Sequence, residues 1–201
     1  MPTIYDFKPR FQAFLRPFVG KLASRGVTAN QVTLAALALS FLSGLLIAVG
    51  GRWRWPFLLV PCTLFVRMAL NAMDGMLARE HDMQTPLGSI LNELGDVLSD
   101  TALYLPFALI PGIQPGAVVI FVVLSIISEM TGVVSVQIGA RRCYNGPMGK
   151  SDRACLFGLI GLLLGFGLNI LLFVNIAVVV ACVLLLLTIR NRAQAALREV
   201  S

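Results

Sequence analysis

NAMDGMLAREHDMQTPLGSILNELGDVLSD, residues 71–100, places Asp74, Glu93, Asp96 and Asp100, with Asn71 and Asn92, inside or at the ends of segments otherwise apolar enough to enter a bilayer. A carboxylate near the middle of a membrane helix is unfavourable by about 2.5–3.5 kcal/mol on insertion scales, so several close together need a common partner, and a bound cation is the simplest one. At ~100° per residue, Asn71, Asp74, Gly75, Ala78 and Arg79 fall on one side of a helix, while Asn92, Glu93, Asp96 and Asp100 fall within one ~100° arc of the next. Two antiparallel helices with a short turn between them would face one polar strip toward the other.

The chain around this stretch has 201 residues, 57% hydrophobic and 13% charged, with a mean hydropathy of +0.84. That composition lies outside soluble globular domains and indicates an all-α integral membrane protein, in which every backbone polar group is satisfied within its own helix. The formal net charge of +6 does not indicate nucleic acid, because the bases lie between apolar segments in the way topology signals do. Cys62, Cys143, Cys155 and Cys182 show no C-x-x-C spacing and read as packing residues, not as a disulfide framework or zinc site. No cleavable signal peptide is expected, since the first 26 residues are amphipathic and basic.

Residues 4–25 intersperse Phe7, Phe11, Phe14, Leu15 and Phe18 with Lys8, Arg10, Arg16, Lys21 and Arg25, which suits an amphipathic helix in the membrane interface or a basic arm that fixes topology. Thr28 to Asn30 offers cap chemistry for a first span, about residues 30–49. After Gly50, Gly51 and an interfacial Trp-rich segment, a second span covers about 56–77, broken only by Arg67, Asn71 and Asp74 at spacings of four and three. A third covers about 87–110, and a fourth, about 117–138, contains Glu129. The apolar run 154–189 is too long for one helix crossing ~30 Å and suits two short ones joined near 165–169. The expectation is six transmembrane helices preceded by an N-terminal amphipathic interfacial helix: an arm at 1–27, a six-helix domain at 28–190 and a tail at 191–201.

The N-terminal arm, the turn with Arg79, the loop 141–153 and the tail hold thirteen of the sixteen Lys and Arg, so both termini and both hydrophilic loops are expected in the cytoplasm. The polar strips adjoin one of these cytoplasmic turns. Carboxylates and carboxamides are hard oxygen donors of the kind Mg²⁺, Mn²⁺ or Ca²⁺ prefer, and Mg²⁺ is usually held by few carboxylates plus substrate phosphates. Gly75, Ala78 and Gly88 leave room for a ligand or for close helix packing. Arg79, Arg141, Arg142, Lys150 and Arg153 can take phosphates, or set topology and bind lipid headgroups. Glu129 can meet a cationic acceptor or pair with Arg67, and His81 reads as solvated. The residues alone indicate a metal-dependent site for a phosphorylated substrate, or an ion pathway.

The spacing Asn71-x2-Asp74-Gly75-x2-Ala78-Arg79-x8-Gly88-x3-Asn92-x3-Asp96 resembles the signature of the CDP-alcohol phosphatidyltransferase family, D-x2-D-G-x2-A-R-x8-G-x3-D-x3-D. Six of the eight fixed residues match, at every spacing. The resemblance is nearest to short bacterial inner-membrane members with Asn at the first and third acidic positions.

That resemblance implies transfer of a phosphatidyl group from CDP-diacylglycerol to a hydroxyl of a small polar alcohol, with release of CMP. It implies Mg²⁺ or Mn²⁺ held by Asp74 with Asn71 and Asn92 at the neighbouring metal positions, and Asp96 as general base and further ligand. Gly75, Ala78, Arg79 and Gly88 would border the cytidine and pyrophosphate. The two amides remove two negative charges, and Glu93 and Asp100, on the same arc, are the candidates to compensate. Gly149 to Arg153 lies where phosphatidylglycerophosphate-synthase-like members carry a similar basic segment. With Arg141 and Arg142 it favours glycerol 3-phosphate as acceptor, held by Arg141, Arg142, Lys150 and Arg153. A homodimer in the bacterial inner membrane, among membrane lipids and with its site facing the cytoplasm, is the expected setting. The competing readings are a catalytically degenerate CDP-lipid-binding protein and a metal-ion transporter.

Overall fold

The computed structural model describes residues 4–51 and 53–200, with side chains described from Arg10 onward. Arg52 and the side chains of Phe7 and Lys8 lie outside the described residues. The described chain is helical, with no strand. Its helices are α1 (Ile4–Ser24), α2 (Ala29–Gly50), α3 (Trp55–Glu80), α4 (Pro86–Tyr104), α5 (Pro115–Val134), α6 (Lys150–Gly165) and α7 (Leu171–Val200). Short 3-10 turns, Leu105–Leu109 and Ser135–Ile138, extend α4 and α5.

Local chemistry sets the helix ends. At the start of α2, the Gln31 N–H donates to Thr28 Oγ1 (3.3 Å) and the Thr28 N–H donates to Gln31 Oε1 (3.0 Å), a reciprocal cap that satisfies two orphan donors. Thr85 caps α4 by accepting from the Gly88 N–H at 2.9 Å, with Pro86 in the first turn where its missing N–H is harmless. The expected break in the last apolar run falls after Gly165, where Gly167 adopts φ +77 and the Leu168 N–H reaches back to the Leu163 carbonyl.

Among the described residues, α2, α3, α5 with its 3-10 extension, and α7 are long and apolar enough to cross a membrane. The other two expected spans fall short of that measure. α4 carries Asn92, Glu93, Asp96 and Asp100, and α6 has 16 residues, or about 24 Å of helix against ~30 Å of hydrocarbon. Helix α7 continues through Arg190, Arg192 and Arg198 to Val200, so the expected tail is helical, because Ala193 to Arg198 is rich in helix formers.

The chain divides into two compact units, residues 1–42 with 62–99 and residues 43–61 with 100–201. In the first, Leu15 and Val19 of α1 pack with Ala29 and Val32 of α2 and Met76 and Leu77 of α3. Phe14 and Phe18, on the other side of α1, are exposed. Arg16 pairs with Glu80 at 3.0 Å, and that hydrogen bond holds the Arg16 guanidinium above its usual range.

The second unit is centred on four rings, with Tyr104 stacked on Phe157 (4.4 Å between centroids) and Phe107 and Phe121 against Phe157 at 5.0 and 5.1 Å. α5 packs along α7, whose buried positions run Val174, Val178, Ala181, Leu185, Thr188, Arg192 and Ala196. Thr188 Oγ1 accepts from the Met148 N–H at 3.0 Å and pins the hydrophilic loop to α7. Apolar side chains such as Val123, Ile127, Met130, Val180 and Leu186 stay exposed, as lipid contact requires: between helices in hydrocarbon, close packing and hydrogen bonds replace the hydrophobic effect.

Candidate functional site

In the first unit α3 presents Arg67, Asn71 and Asp74 at spacings of four and three, one face of a helix. Arg67 and Asp74 are 3% and 5% exposed, so this polar face is turned inward, as the spacing predicts. Thr33 of α2 donates its hydroxyl to Asp74 Oδ2 at 2.8 Å and lies 3.1 Å from the Ala29 carbonyl. Asp96 comes from α4. Its Oδ1 accepts from Asn71 Nδ2 at 3.1 Å and lies 3.5 Å from Arg67 Nη2, which also donates to the Asp96 carbonyl at 3.1 Å. The Asp96 side chain keeps 23% of its surface accessible, whereas that of Arg67 keeps 4%.

Asn71 of α3 and Asp96 of α4 are thus brought together, with Asp74 three residues after Asn71 on α3 and held by Thr33 of α2. Asn92 sits four residues before Asp96 on α4, on the same face and half-buried, as is Glu93. The Arg79 side chain lies over Gly75, where a Cβ would stand 3.1 Å from Nη2. Gly88 lets Asn30 approach: a Cβ there would be 2.6 Å from Asn30 Oδ1, while Asn30 Nδ2 donates to Thr85 at 3.4 Å. Ala78 packs against the apolar cluster of α1, α2 and α3.

The second unit gathers a different set. Asp100, expected with the metal ligands, instead accepts from Arg153 through Oδ2, at 3.1 Å from Nε and 2.9 Å from Nη2. Arg153, expected to bind the acceptor, is 1% exposed and also donates to Glu129 Oε1 at 3.0 Å. Glu129 further meets Arg192 at 3.4 Å and Arg142 at 3.6 Å, so its partners are these three guanidiniums and not Arg67. Arg142 also lies over the Tyr144 ring at 5.0 Å. Arg141 is exposed and pairs with Glu199 at 3.1 Å; Lys150 is half-buried in the first turn of α6, and His81 is exposed.

Two participants escape a reading of the sequence as spans and loops. Thr33 looks like one more small residue in an apolar helix. Arg192 looks like one base of a tail, and only the continuation of the buried spacing from Thr188 through Arg192 to Ala196 marks it as inward.

Among the described residues no three His, Cys, Asp or Glu side chains are grouped so as to hold a metal ion. What the first unit offers is two carboxylates and two carboxamides, a hard-oxygen set that fits one divalent ion with phosphate oxygens completing its shell.

A family model described as CDP-alcohol phosphatidyltransferase matches residues 26–189. The inner membrane protein YnbA of Escherichia coli (strain K12) is 48% identical over 195 residues, which span 97% of this chain and 96% of that protein. Two solved structures of the Mycobacterium tuberculosis phosphatidylinositol phosphate synthase PgsA1 share the fold at a TM-score of 0.77 and 18% identity. One, with CDP-DAG bound, is matched over 90% of this chain and 92% of that one; the other, with manganese and citrate, over 90% and 88%.

Proposed function

The chain belongs to the CDP-alcohol phosphatidyltransferase family, and from that premise we propose that it transfers the phosphatidyl group of CDP-diacylglycerol to the hydroxyl of a small polar alcohol, with release of CMP. The observation that supports this reading is the hydrogen bond from Asn71 Nδ2 of α3 to Asp96 Oδ1 of α4 at 3.1 Å, which joins two positions of the motif across two helices. The CDP-DAG held by PgsA1, which shares the fold, supports the donor.

In the proposed reaction the acceptor oxygen bonds to the phosphorus carrying the diacylglycerol. The bond from that phosphorus to the bridging oxygen breaks, and CMP leaves with the oxygen. Asp96 takes the hydroxyl proton, its carboxylate oriented by Asn71 and Arg67. Asp74, held by Thr33, belongs with Asn71, Asn92 and Asp96 to the oxygen set for Mg²⁺ or Mn²⁺, and manganese bound to PgsA1 supports a divalent ion. Such an ion, when bound, neutralises pyrophosphate charge and steadies the leaving group. Arg79, exposed beside Gly75, is the base placed to meet the nucleotide phosphates, with Ala78 and Gly88 bordering the same substrate.

Glycerol 3-phosphate is the favoured acceptor. Arg142, Arg153 and Arg192 surround two carboxylates, Asp100 and Glu129, so this cluster keeps one positive charge by count, and Lys150 adds another in the same unit. The setting is the bacterial inner membrane, in agreement with the named location of the relative, with α4 and α6 completing six spans, α1 in the interface, the site open to the cytoplasm and the protein a homodimer.

The test is CMP release from CDP-diacylglycerol by purified protein with Mg²⁺ or Mn²⁺, across glycerol 3-phosphate, glycerol, serine and inositol phosphate. Release that requires one acceptor and is lost in Asp96→Asn supports transfer and names the product. No release with any acceptor, alongside retained CDP-lipid binding, rejects transfer in favour of a binding protein.

A further inference from the structure

We propose, resting on the transferase reading, that Glu129 of α5 is a built-in counter-anion of the acceptor cluster, holding the guanidiniums of Arg142, Arg153 and Arg192 until the phosphate of a phosphorylated alcohol displaces it. Glu129 fits these three bases loosely. Its Oε1 accepts from Arg153 Nη2 at 3.0 Å, but Arg192 Nη2 is 3.5 Å from the same oxygen, and Oε2 lies 3.4 Å from Arg192 Nη1 and 3.6 Å from Arg142 Nη2. Hydrogen bonds between a guanidinium and a carboxylate are about 2.7–2.9 Å long, so two carboxylate oxygens close on one of the bases and only approach the other two.

The donors left over call for a larger oxyanion. Arg153 and Arg192 are 1% and 2% exposed, yet among the described residues neither Arg153 Nη1 nor Arg192 Nε has a hydrogen-bond acceptor. A buried N–H without an acceptor is costly, more so on a charged group, and two of them in one cluster mark a shortage of oxygens. A phosphate monoester offers three oxygens on a tetrahedral centre where a carboxylate has two in a plane, and the guanidinium fork suits it equally well. Charge agrees. A phosphate dianion with Asp100 balances the three guanidiniums, whereas the same dianion with both carboxylates leaves one negative charge in excess. Of the two carboxylates Asp100 is the better held: its Oδ2 accepts from both Nε and Nη2 of Arg153, at 3.1 and 2.9 Å, and its side chain keeps 6% of its surface accessible against 12% for Glu129. Glu129 is therefore the one that yields. It acts on specificity through the arginines, since a phosphorylated alcohol competes with it for them and a neutral alcohol does not.

The experiment follows the melting temperature of the purified full-length protein in detergent as inorganic phosphate is added, with ionic strength held constant by chloride, for wild type, Glu129→Gln, Glu129→Asp and Glu129→Gln/Arg192→Met. Phosphate is expected to raise the melting temperature of Glu129→Gln more than that of wild type, with half the effect at about tenfold less phosphate. Glu129→Asp, whose shorter carboxylate reaches fewer of the bases, is expected to move the same way and decides the matter if Glu129→Gln cannot be purified. The double variant keeps the net charge of wild type and is expected to lose the gain. Phosphate binding no tighter than wild type in the deciding variant, or a gain that survives in the double variant, overturns the proposal. In CMP release the KM for glycerol 3-phosphate is expected to fall about tenfold in Glu129→Gln, and the KM for glycerol is not. The two readings fail separately: no CMP release from any of the proteins alongside the phosphate gain sinks phosphatidyl transfer alone, while active enzyme without the gain sinks the role of Glu129 alone.

Discussion

Thr33 Oγ1 stands 2.8 Å from Asp74 Oδ2, so a residue of α2 orients the motif carboxylate of α3. A hydrogen bond to a charged group contributes about 1.5–3 kcal/mol, and a hydroxyl removed from a buried carboxylate leaves that acceptor partly unsatisfied. Thr33→Val keeps the shape and deletes the donor. It is expected to lower CMP release by at least about tenfold and to weaken Mn²⁺ binding, whereas Thr33→Ser keeps both. Equal turnover in Thr33→Val and wild type would show that Asp74 needs no such support.

Asp100 and Arg153 form a buried ion pair at 2.9 Å in the second unit, with Glu129 as a further partner of Arg153 at 3.0 Å. Breaking a buried pair by removing one partner leaves an uncompensated charge and costs about 3–5 kcal/mol. Arg153→Met is therefore expected to lower the melting temperature in detergent sharply, and the charge-free pair Asp100→Leu/Arg153→Met to recover much of the loss. Because Asp100 is held by Arg153, Asp100→Asn is expected to reduce stability while leaving Mn²⁺ affinity unchanged. A fall in Mn²⁺ affinity matching that of an Asp74→Asn protein would return Asp100 to the metal ligands.

The sequence shows most of the helical framework because the physical signals are local. Gly50 and Gly51, the Thr-Pro pair at 85–86 and Gly167 interrupt or cap helices wherever they stand, and the spacing of Arg67, Asn71 and Asp74 already places them on one inward face. Pairing across helices is different in kind. Glu129 carries nothing to say whether Arg67 or Arg153 will reach it, since both are buried guanidiniums on apolar helices; tertiary packing decides, and it selects Arg153 and Arg192. Asp96 and Asp100 share an arc of α4, so periodicity assigns them to one site, yet they have different partners, Arg67 and Arg153. The end of α7 was hidden for a further reason: bases read as a boundary on a hydropathy scale, while the backbone follows helix propensity and continues to Val200.

For the attachment of α1, burial and charge make opposite forecasts. Leu15 and Val19 are 5% and 0% exposed, whereas Arg16 and Glu80 form an ion pair open to solvent. Exposed pairs contribute little and are screened by salt. Val19→Asp is expected to loosen α1, read as faster amide hydrogen exchange over residues 10–24. Glu80→Gln is expected to leave exchange there unchanged at physiological salt. Detachment of α1 in Glu80→Gln would mean that the ion pair, and not the apolar contact, holds the helix.

The proposed six-span arrangement puts the loop at 141–153 and the turn at 110–114 on opposite sides of the membrane, a stronger demand than the four apolar helices alone make. Ser151 and Gln114 are both exposed, and the hydrogen bonds described for Gln114 use its backbone, the N–H donating to Asn175 Oδ1 at 2.8 Å and the carbonyl accepting from the Val118 N–H at 3.3 Å, so a side-chain change there spares the turn. Of the four native thiols, Cys143 is buried, while Cys62, Cys155 and Cys182 lie on helices read as spans, where a thiolate is disfavoured and maleimide reacts slowly. In intact cells an impermeant maleimide is expected to label Gln114→Cys and not Ser151→Cys; after permeabilisation both react. Labelling of Ser151→Cys alone from outside would invert the orientation, and labelling of both from one side would remove α5 from the set of crossings.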